Sequence, residues 1–383
     1  MTDPAVPASS APPSESASPS RHTPLAERHR ALGASFTDFG GWVMPVRYTS
    51  DLAEHHAVRT AAGLFDISHM AEFTVTGADA GVFLDDALAG RLSTMRVGKA
   101  KYSLLLSPSG GVLDDVIVYR TGDDAFLVIS NAGNHDTVAA ELRQRATGRE
   151  VAVRDISSET ALIAVQGPRA AEIVAATPGV SVDGLTELGY YAWLGGDFRG
   201  HDLFVARTGY TGEDGFELMV DGAAAVELWD ALLGAGAPLG LVPAGLASRD
   251  TLRLEAGMPL HGHELSAQIL PAQAGLGRVV ALDKDDFVGK SALLSAPTDA
   301  PVLVGLTAEG RRAGRAGYAV LDASGERVGE ITSGALSPTL GHPIAMALVA
   351  PRASRPGTEL FLDVRGTRIP ATVTELPFYR RTT

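Results

Sequence analysis

The alternation of apolar and polar residues divides the chain into a mixed helical and strand-forming part and a C-terminal part of strands alone. In residues 71–76, Ala, Phe and Val alternate with Glu and Thr, which predicts a strand. Residues 101–131 predict a three-strand meander of YSLLL, VLDDVIVY and AFLVIS, separated by the turns SPSGG and TGDD. Past about residue 300, short apolar runs recur between turns such as DASGE and APRASRPG. The pattern therefore predicts an α+β body followed by a β-rich C-terminal domain.

Capping and breaking residues place the helices of the body. They predict helices that begin at Thr23-Pro24, Ser50, residue 78, Asn134, Pro168, Ala224 and Pro243. The helix from Ser50 is expected to stop at Gly63, and the last helix carries Arg249 and ends at Gly257. Residues 1–22 are mostly Pro, Ser and Ala, and they predict a disordered tail.

Composition then narrows the class of protein. The chain has no cysteine, which excludes disulfides, thiolate metal sites, chain-held iron–sulfur clusters and cysteine nucleophiles. Its net charge of −13 repels phosphate backbones and disfavours nucleic-acid binding. Residues 231–248 are uncharged, but glycines and prolines interrupt them, so they cannot form a membrane-spanning helix. We expect a soluble protein with neither nucleic-acid nor membrane partners.

Two neighbouring acids interrupt an apolar strand of the meander. Asp114 and Asp115 lie among Val, Leu, Ile and Tyr, although Asp is poorly suited to strand interiors. Adjacent strand residues point to opposite faces, so the two carboxylates cannot both face the same side. Two interpretations are open: an acid pair near a turn in a sheet with one solvated face, or one carboxylate in a pocket as an acid, a base or an anchor for a cationic centre.

The segment RTGYTGEDGFE, residues 207–217, combines an arginine, a tyrosine and three acids with three glycines. It lacks the spacing of a phosphate-binding loop, and Glu213 would repel phosphate. A carboxylate in a tight loop suits a ligand with paired N–H donors, such as a pterin or a guanidine. A plain hairpin with solvated acids is the alternative.

His261, His263 and Glu264 form an H-x-H-E string that raises the question of a metal site. No fourth ligand is indicated, and the string follows a helix-ending Gly-Met-Pro, so surface or core histidines are the preferred interpretation. The sequence predicts no metal.

Eight motifs, in this order, resemble the aminomethyltransferases, the T-proteins of the glycine cleavage system. They are FGGWVMPVRY (39–48), GLFDISHM (63–70), YSLLLSPSGGVLDD (102–115), ISNAGN (129–134), VQGP (165–168), RTGYTGEDGFE (207–217), ASRDTLRLEAGMPL (247–260) and SPTLGHPIAMALV (337–349). The resemblance extends from about residue 23 to 379.

The resemblance implies an α+β, three-domain fold around a central opening that holds tetrahydrofolate, with an all-β C-terminal domain. Its implied domain limits are 23–65 with 152–240, 66–151 with 241–285, and 286–383, after the tail 1–22. It also implies transfer of an aminomethyl carbon from a lipoylated H-protein to tetrahydrofolate, without a metal, in the cytoplasm.

The resemblance further implies roles for six residues. Asp115 matches the family's essential aspartate. Glu213 matches the acid that holds the pterin, and Arg249 matches the arginine of the A-R-D-x-L-R-L-E-A-G helix. Three further positions line the folate pocket: Met70, Tyr102 and Asn131. Arg278 departs from the family, which usually has Trp after its A-G-L-G run.

Three other functions are alternatives to this one. A folate-binding accessory protein of iron–sulfur cluster assembly shares the fold, but its K-G-C-Y-x-G-Q-E loop contains cysteine, which this chain lacks. The folate domain of a dimethylglycine- or sarcosine-oxidising flavoenzyme would need a dinucleotide-binding fingerprint, and none follows an N-terminal strand. A tetrahydrofolate binder without catalysis is distinguished only by an activity assay.

Overall fold

The computed structural model describes residues 21–381. The predicted tail, 1–22, falls outside these residues except for its last two. Arg21 already belongs to the ordered fold, because its backbone N–H donates to Gly41 O at 2.8 Å and it forms a β-bridge with Trp42.

A seven-stranded sheet forms the first layer of the body. Its strands, in spatial order, are Val180–Ser181, Trp193–Phe198, His201–Ala206, Gly215–Asp221, Thr160–Gln166, Ala62–Asp66 and Leu241–Pro243. Neighbours run antiparallel except the last pair, which is parallel. The strand Thr160–Gln166 is apolar at successive positions because both of its faces are buried. One face packs on the helices Ala170–Ala176 and Ala225–Gly236.

A five-stranded sheet forms the second layer. Its spatial order is Ala100–Leu106, Val112–Gly122, Ala125–Ser130, Ala71–Thr76 and Ala152–Asp155. The helices Ala80–Ala87 and His135–Arg145 cover one face. The other face packs on the seven-stranded sheet through one apolar cluster that includes Tyr119, Leu127, Ile129, Phe65, Leu162 and Ala164. This packing places strand Val112–Gly122, which carries Asp114 and Asp115, against the seven-stranded sheet.

The C-terminal part is a closed six-stranded barrel. Its strands are Val302–Ala308, Ala319–Leu321, Arg327–Leu336, Pro343–Val349, Glu359–Val364 and Thr367–Thr374. Alternate strand residues fill its interior, including Leu306, Val320 and Ala347. The predicted α+β class and the all-β C-terminal region are confirmed. The predicted domain limits remain a prediction. At two of these limits the sheets divide differently: Ala152–Asp155 pairs within the five-stranded sheet, and Leu241–Pro243 pairs within the seven-stranded sheet.

The remaining strands and α-helices lie outside these three sheets. They are the hairpin Ser35–Phe39 and Trp42–Arg47 and the helices Ala26–Ala31, Asp51–Thr60, Leu246–Glu255 and Lys290–Leu294. Within residues 21–381, no helix is long and apolar enough to cross a membrane.

Strand pairing shifts two helix boundaries away from their predicted positions. Pro243 does not begin a helix, because it pairs with Leu64 in a parallel strand and the helix starts at Leu246 after Gly245. The helix capped by Ser50 ends at Thr60 rather than at Gly63, because the following residues enter the seven-stranded sheet. In both places strand pairing determined the boundary rather than local preference.

Candidate functional site

A cavity of about 400 Å³ lies where the two sheets of the body meet. Its walls come from the hairpin tip, the meander, the loop before strand Gly215–Asp221, the helix Leu246–Glu255 and the segment after that helix. The side chains that line it include Phe39, His69, Met70, Tyr102, Asp115, Asn131, Tyr210, Glu217, Arg249 and His261. This volume is typical of small-molecule sites.

At one part of the wall, Asp115 presents its carboxylate to the cavity. It accepts hydrogen bonds from the Tyr102 hydroxyl at 3.0 Å and from Asn131 Nδ2 at 2.8 Å. Tyr102 reaches it diagonally, because Leu104 is the residue opposite Asp115 in the antiparallel pair. The Asp115 carboxylate therefore has a fixed position facing the cavity.

Asp114 is fully buried and is not solvated, which excludes the solvated acid pair. It accepts three N–H groups, from the backbone and side chain of Asn131 at 3.1 and 2.8 Å and from Asn134 Nδ2 at 2.6 Å. The sequence suggests that the Asn134 side chain caps the following helix. Its amide bonds Asp114 instead, and it makes no capping hydrogen bond. The Asn131 amide bonds both acids and sets their separation.

Burial raises the pKa of both acids. The pKa of Asp114 rises to about 7, because burial and the nearby charge of Asp115 both oppose its ionisation. Burial also raises the pKa of Asp115, against the opposing hydrogen bond from Tyr102. The pair therefore changes its charge at higher pH than ordinary aspartates, whose pKa is about 4.

A second polar part of the cavity contains Arg249 and Glu217. Arg249 Nη1 is buried without a hydrogen-bond partner among residues 21–381, and its guanidinium lies 4.9 Å from the centre of the Tyr210 ring. Glu217 Oε2 accepts the Thr208 hydroxyl at 2.5 Å. Burial raises the pKa of Glu217 and lowers the pKa of Arg249, and each charge opposes the shift of the other. A buried guanidinium and a buried carboxylate thus face one cavity.

His69 and Met70 complete this wall. His69 is 3% exposed, and its Nδ1 has no partner within the described chain. Burial lowers its pKa to about 4, so the ring is neutral at neutral pH. The Phe39 ring meets it edge-on at 5.4 Å. The cavity therefore also offers a neutral imidazole.

Of the six residues implied by the resemblance, the structure brings Met70, Tyr102, Asp115, Asn131 and Arg249 to the cavity. It does not bring Glu213 there. Glu213 Oε1 instead forms an ion pair at 2.9 Å with Arg59 Nη1, and both side chains are buried. Arg59 also pairs with Glu255. Glu213 therefore belongs to a buried ion-pair network with Arg59 of helix Asp51–Thr60.

The acid of RTGYTGEDGFE that lines the cavity is Glu217, for which the sequence alone predicted no separate role. Its signal was present in the pattern: Glu217 interrupts the apolar strand Gly215–Asp221, as the aspartates interrupt theirs. The residues His69, Tyr210 and His261 were also missed as cavity residues, and only the tertiary structure brings them together.

The His261–Glu264 string does not converge on one point. His261 Nε2 lies 3.3 Å from Val112 O, and His263 Nδ1 lies 2.7 Å from Thr332 O. Glu264 accepts from Arg253 at 3.1 Å. In the part of the chain that the structure describes, no group of three or more His, Asp or Glu is placed to hold a metal. Arg278 is exposed.

Comparisons with known proteins agree along most of the chain. The GCVT N-terminal domain family matches residues 25–284, and the glycine cleavage T-protein C-terminal barrel domain family matches residues 302–380. The chain is 57% identical over 368 residues to an aminomethyltransferase of Cutibacterium acnes, covering 94% of this chain and 99% of that protein. It is 55% identical over 365 residues to the aminomethyltransferase of Saccharopolyspora erythraea, covering 94% and 98%.

A solved structure has the same fold. The crystal structure of the glycine cleavage system aminomethyltransferase T from Bartonella henselae superposes with a TM-score of 0.87 at 38% identity. The superposition covers 94% of this chain and 98% of that one.

Proposed function

Since the chain belongs to the glycine cleavage T-protein family, the aminomethyltransferases, we propose that it performs the family's reaction in the cavity between the two sheets. The reaction transfers the aminomethyl carbon of S-aminomethyldihydrolipoyl H-protein to tetrahydrofolate. Its products are 5,10-methylenetetrahydrofolate, ammonia and dihydrolipoyl H-protein. The resemblance found in the motifs is confirmed, as is the classification as an enzyme.

The observation that carries the proposal is the pair of buried charges, Arg249 and Glu217, lining the same cavity as Asp115. The pteridine ring of folate offers adjacent ring and amino N–H donors and a carbonyl acceptor. A carboxylate matches the donor pair and a guanidinium matches the carbonyl. We assign the first role to Glu217 and the second to Arg249, whose Nη1 has no partner within residues 21–381.

Asp115 is proposed to act on the reacting atoms. Positive charge develops as the aminomethyl carbon leaves sulfur, and an ionised carboxylate nearby stabilises it. Tyr102 and Asn131 hold the carboxylate in place, so little reorganisation is needed during the reaction. Apolar side chains such as Ile117, Ile129 and Leu162 line the cavity and exclude water, which would hydrolyse the activated carbon.

Tetrahydrofolate supplies the nitrogen that accepts the carbon, and the lipoylated H-protein supplies the donor. We propose these two partners, the absence of a required metal and a cytoplasmic location.

The test is a coupled assay for 5,10-methylenetetrahydrofolate with aminomethylated H-protein and tetrahydrofolate, with and without this protein. We expect folate-dependent product together with ammonia. Demonstrated folate binding without product would instead identify a non-catalytic folate binder.

A further inference from the structure

A buried chain of three side chains connects Glu217 to the strand that carries Asp115. Thr208 Oγ1 lies 2.5 Å from Glu217 Oε2 and 3.0 Å from the Tyr119 hydroxyl. Tyr119 is 0% exposed and Thr208 1% exposed. At this depth bulk water does not replace a lost hydrogen bond, so removing one member leaves the others unsatisfied.

The chemistry of the three groups fixes the direction of these hydrogen bonds. An ionised carboxylate only accepts, so the single hydroxyl proton of Thr208 goes to Glu217. The Thr208 oxygen then accepts the Tyr119 hydroxyl proton. Tyr119 therefore donates to Thr208, and Thr208 donates to the Glu217 carboxylate at the cavity.

The chain also crosses the boundary between the two sheets. Tyr119 lies four residues after Asp115 in strand Val112–Gly122, so both side chains project from the same face. Thr208 lies between the strands His201–Ala206 and Gly215–Asp221 of the other sheet, and Gln166 Nε2 donates to its carbonyl at 3.0 Å. The Asp115 strand and the Glu217 strand are thereby joined through side chains.

We propose that Thr208 and Tyr119 are positioning residues for tetrahydrofolate, which hold the Glu217 carboxylate at a fixed place relative to Asp115. This inference rests on the proposed function. Neither residue is placed in contact with the reacting atoms: Thr208 acts through Glu217, and Tyr119 acts through Thr208 and through Glu217 itself.

The charges around Glu217 give the proposal a measurable signature. Burial raises the pKa of Glu217, while the Thr208 hydroxyl, the Arg249 guanidinium and the Tyr119 hydroxyl lower it. The charged or titratable groups that face it are Arg249 on helix Leu246–Glu255, Tyr119 on the other sheet, and Tyr190 and Tyr191 before strand Trp193–Phe198. Loss of the Thr208 hydroxyl should therefore raise the pKa of Glu217 further. As the pH is lowered, Glu217 would then become protonated earlier, and folate binding would be lost at a higher pH than in the wild-type protein.

The test compares Thr208→Val, which keeps the shape, with Thr208→Ser, which keeps the hydroxyl. The dissociation constant of tetrahydrofolate is measured by titration between pH 5.5 and 8.5, and kcat and KM by the coupled assay. We expect Thr208→Val to weaken binding on the order of tenfold at pH 7.5, with KM raised and kcat nearly retained. Its acid limb should move to higher pH, and Thr208→Ser should restore binding to within about threefold of wild type.

Two further variants separate positioning from general destabilisation. Tyr119→Phe should weaken binding less, about threefold, because Thr208 still donates to Glu217. Thr177→Val is the control, since it removes another buried threonine hydroxyl, bonded to Ile173 O at 2.7 Å, from a residue outside the cavity wall. Wild-type affinity and pH profile in Thr208→Val, or the same shift in Thr177→Val, would overturn the positioning role. Failure of the wild-type protein to bind tetrahydrofolate would refute the proposed function, and this role with it.

Discussion

At the scale of single residues, the cavity depends on carboxylates held where water is scarce. Asn131 uses both protons of its Nδ2 group on two acids, bonding Asp114 and Asp115 at 2.8 Å each. With Tyr102 on its other oxygen, Asp115 has little freedom to turn. A carboxylate fixed in this way stabilises developing positive charge more effectively than a mobile, hydrated one.

Asp115→Asn keeps the shape of the side chain and removes its charge. We expect kcat to fall on the order of 100-fold or more, because the stabilisation of charge is lost. The dissociation constant of tetrahydrofolate should stay within about threefold, because Glu217 and Arg249 remain. Asp124→Asn, an exposed change in the turn of the same meander, is the control. Unchanged kcat in Asp115→Asn would remove Asp115 from the mechanism.

The raised pKa of Asp115 predicts a pH dependence of the rate. A carboxyl group whose pKa is raised by burial stays protonated to a higher pH, so its catalytic charge is lost as the pH falls through that pKa. We expect kcat, measured from pH 4 to 9, to decline on the acid side above the ordinary aspartate range near 4. A rate that stays flat down to pH 4.5 would contradict an ionised Asp115 as the active form.

Glu217 and Glu213 provide a direct comparison within one motif. Glu217→Gln should weaken tetrahydrofolate binding by about tenfold or more. The glutamine amide is neutral and has one acceptor oxygen, whereas the carboxylate is charged and offers two oxygens to the two N–H donors. Glu213→Gln should leave binding nearly unchanged and lower the melting temperature, because Arg59 loses a buried partner. Titration and thermal unfolding of both variants measure the difference. The reverse pattern would restore Glu213 as the pterin ligand.

At the scale of elements, the position of Arg249 depends on where its helix begins. Gly245 precedes this helix and packs against the hairpin strand Trp42–Arg47. A Cβ at Gly245 would lie 2.3 Å from Val46 O, which is backbone and cannot move aside. The Gly245 N–H also donates to Glu54 Oε2 at 3.0 Å. Close backbone approach therefore fixes the start of the helix.

Gly245→Ala should disturb this contact. We expect a loss of about 1–3 kcal/mol in the free energy of unfolding, together with weaker tetrahydrofolate binding as Arg249 shifts. Gly234→Ala is the matched control: it lies in helix Ala225–Gly236, nothing lies within 4 Å of its added Cβ, and we expect a gain of up to about 1 kcal/mol. Denaturant unfolding and folate titration measure both. Equal stability of the two variants would show that the contact with Val46 is unimportant.

At the scale of the whole molecule, buried polar contacts attach the C-terminal barrel to the body. Glu255 accepts from Ser337 at 2.5 Å and from the Thr339 backbone at 3.0 Å, both from the barrel. It also pairs with Arg59 at 2.8 Å, and Arg59 in turn pairs with Glu213. The barrel and the body thus share one charge network behind the cavity wall.

This network predicts how stability depends on acid. Burial alone would raise the pKa of Glu255, but hydrogen bonds and charges from His55, Ser337 and Arg59 lower it to about 2. A lowered pKa means that the stabilisation is present above the unfolded-state pKa, near 4.5, and is lost as the pH falls towards 2.

Glu255→Gln should therefore lower the free energy of unfolding at pH 7, by at most about 3 kcal/mol, and reduce its fall between pH 5 and 2. Denaturant unfolding at several pH values measures this, with the exposed Glu359→Gln as control. The same acid dependence in Glu255→Gln as in the wild-type protein would argue against this network.

Local patterns in the sequence determined much of this molecule. Strict alternation in residues 71–76 fixed a strand because a half-buried sheet needs one apolar face, and the run of short apolar segments past residue 300 indicated the barrel. Acids inside an apolar strand made Asp114 and Asp115 candidates, since such positions are costly without a function or a partner, and the family resemblance selected Asp115. The eight ordered motifs indicated the family.

Tertiary structure alone decided which side chains meet. Glu213 and Glu217 lie four residues apart in one motif, and only the folded loop shows that the first meets Arg59 and the second meets the cavity. Pro243 has the local signal of a helix start but pairs with Leu64, because completing the sheet outweighs a local preference. Contacts such as Tyr119 with Thr208 join residues 89 apart in sequence. Periodicity records only which face of an element is buried, whereas the packing of the two sheets determines what that face contacts.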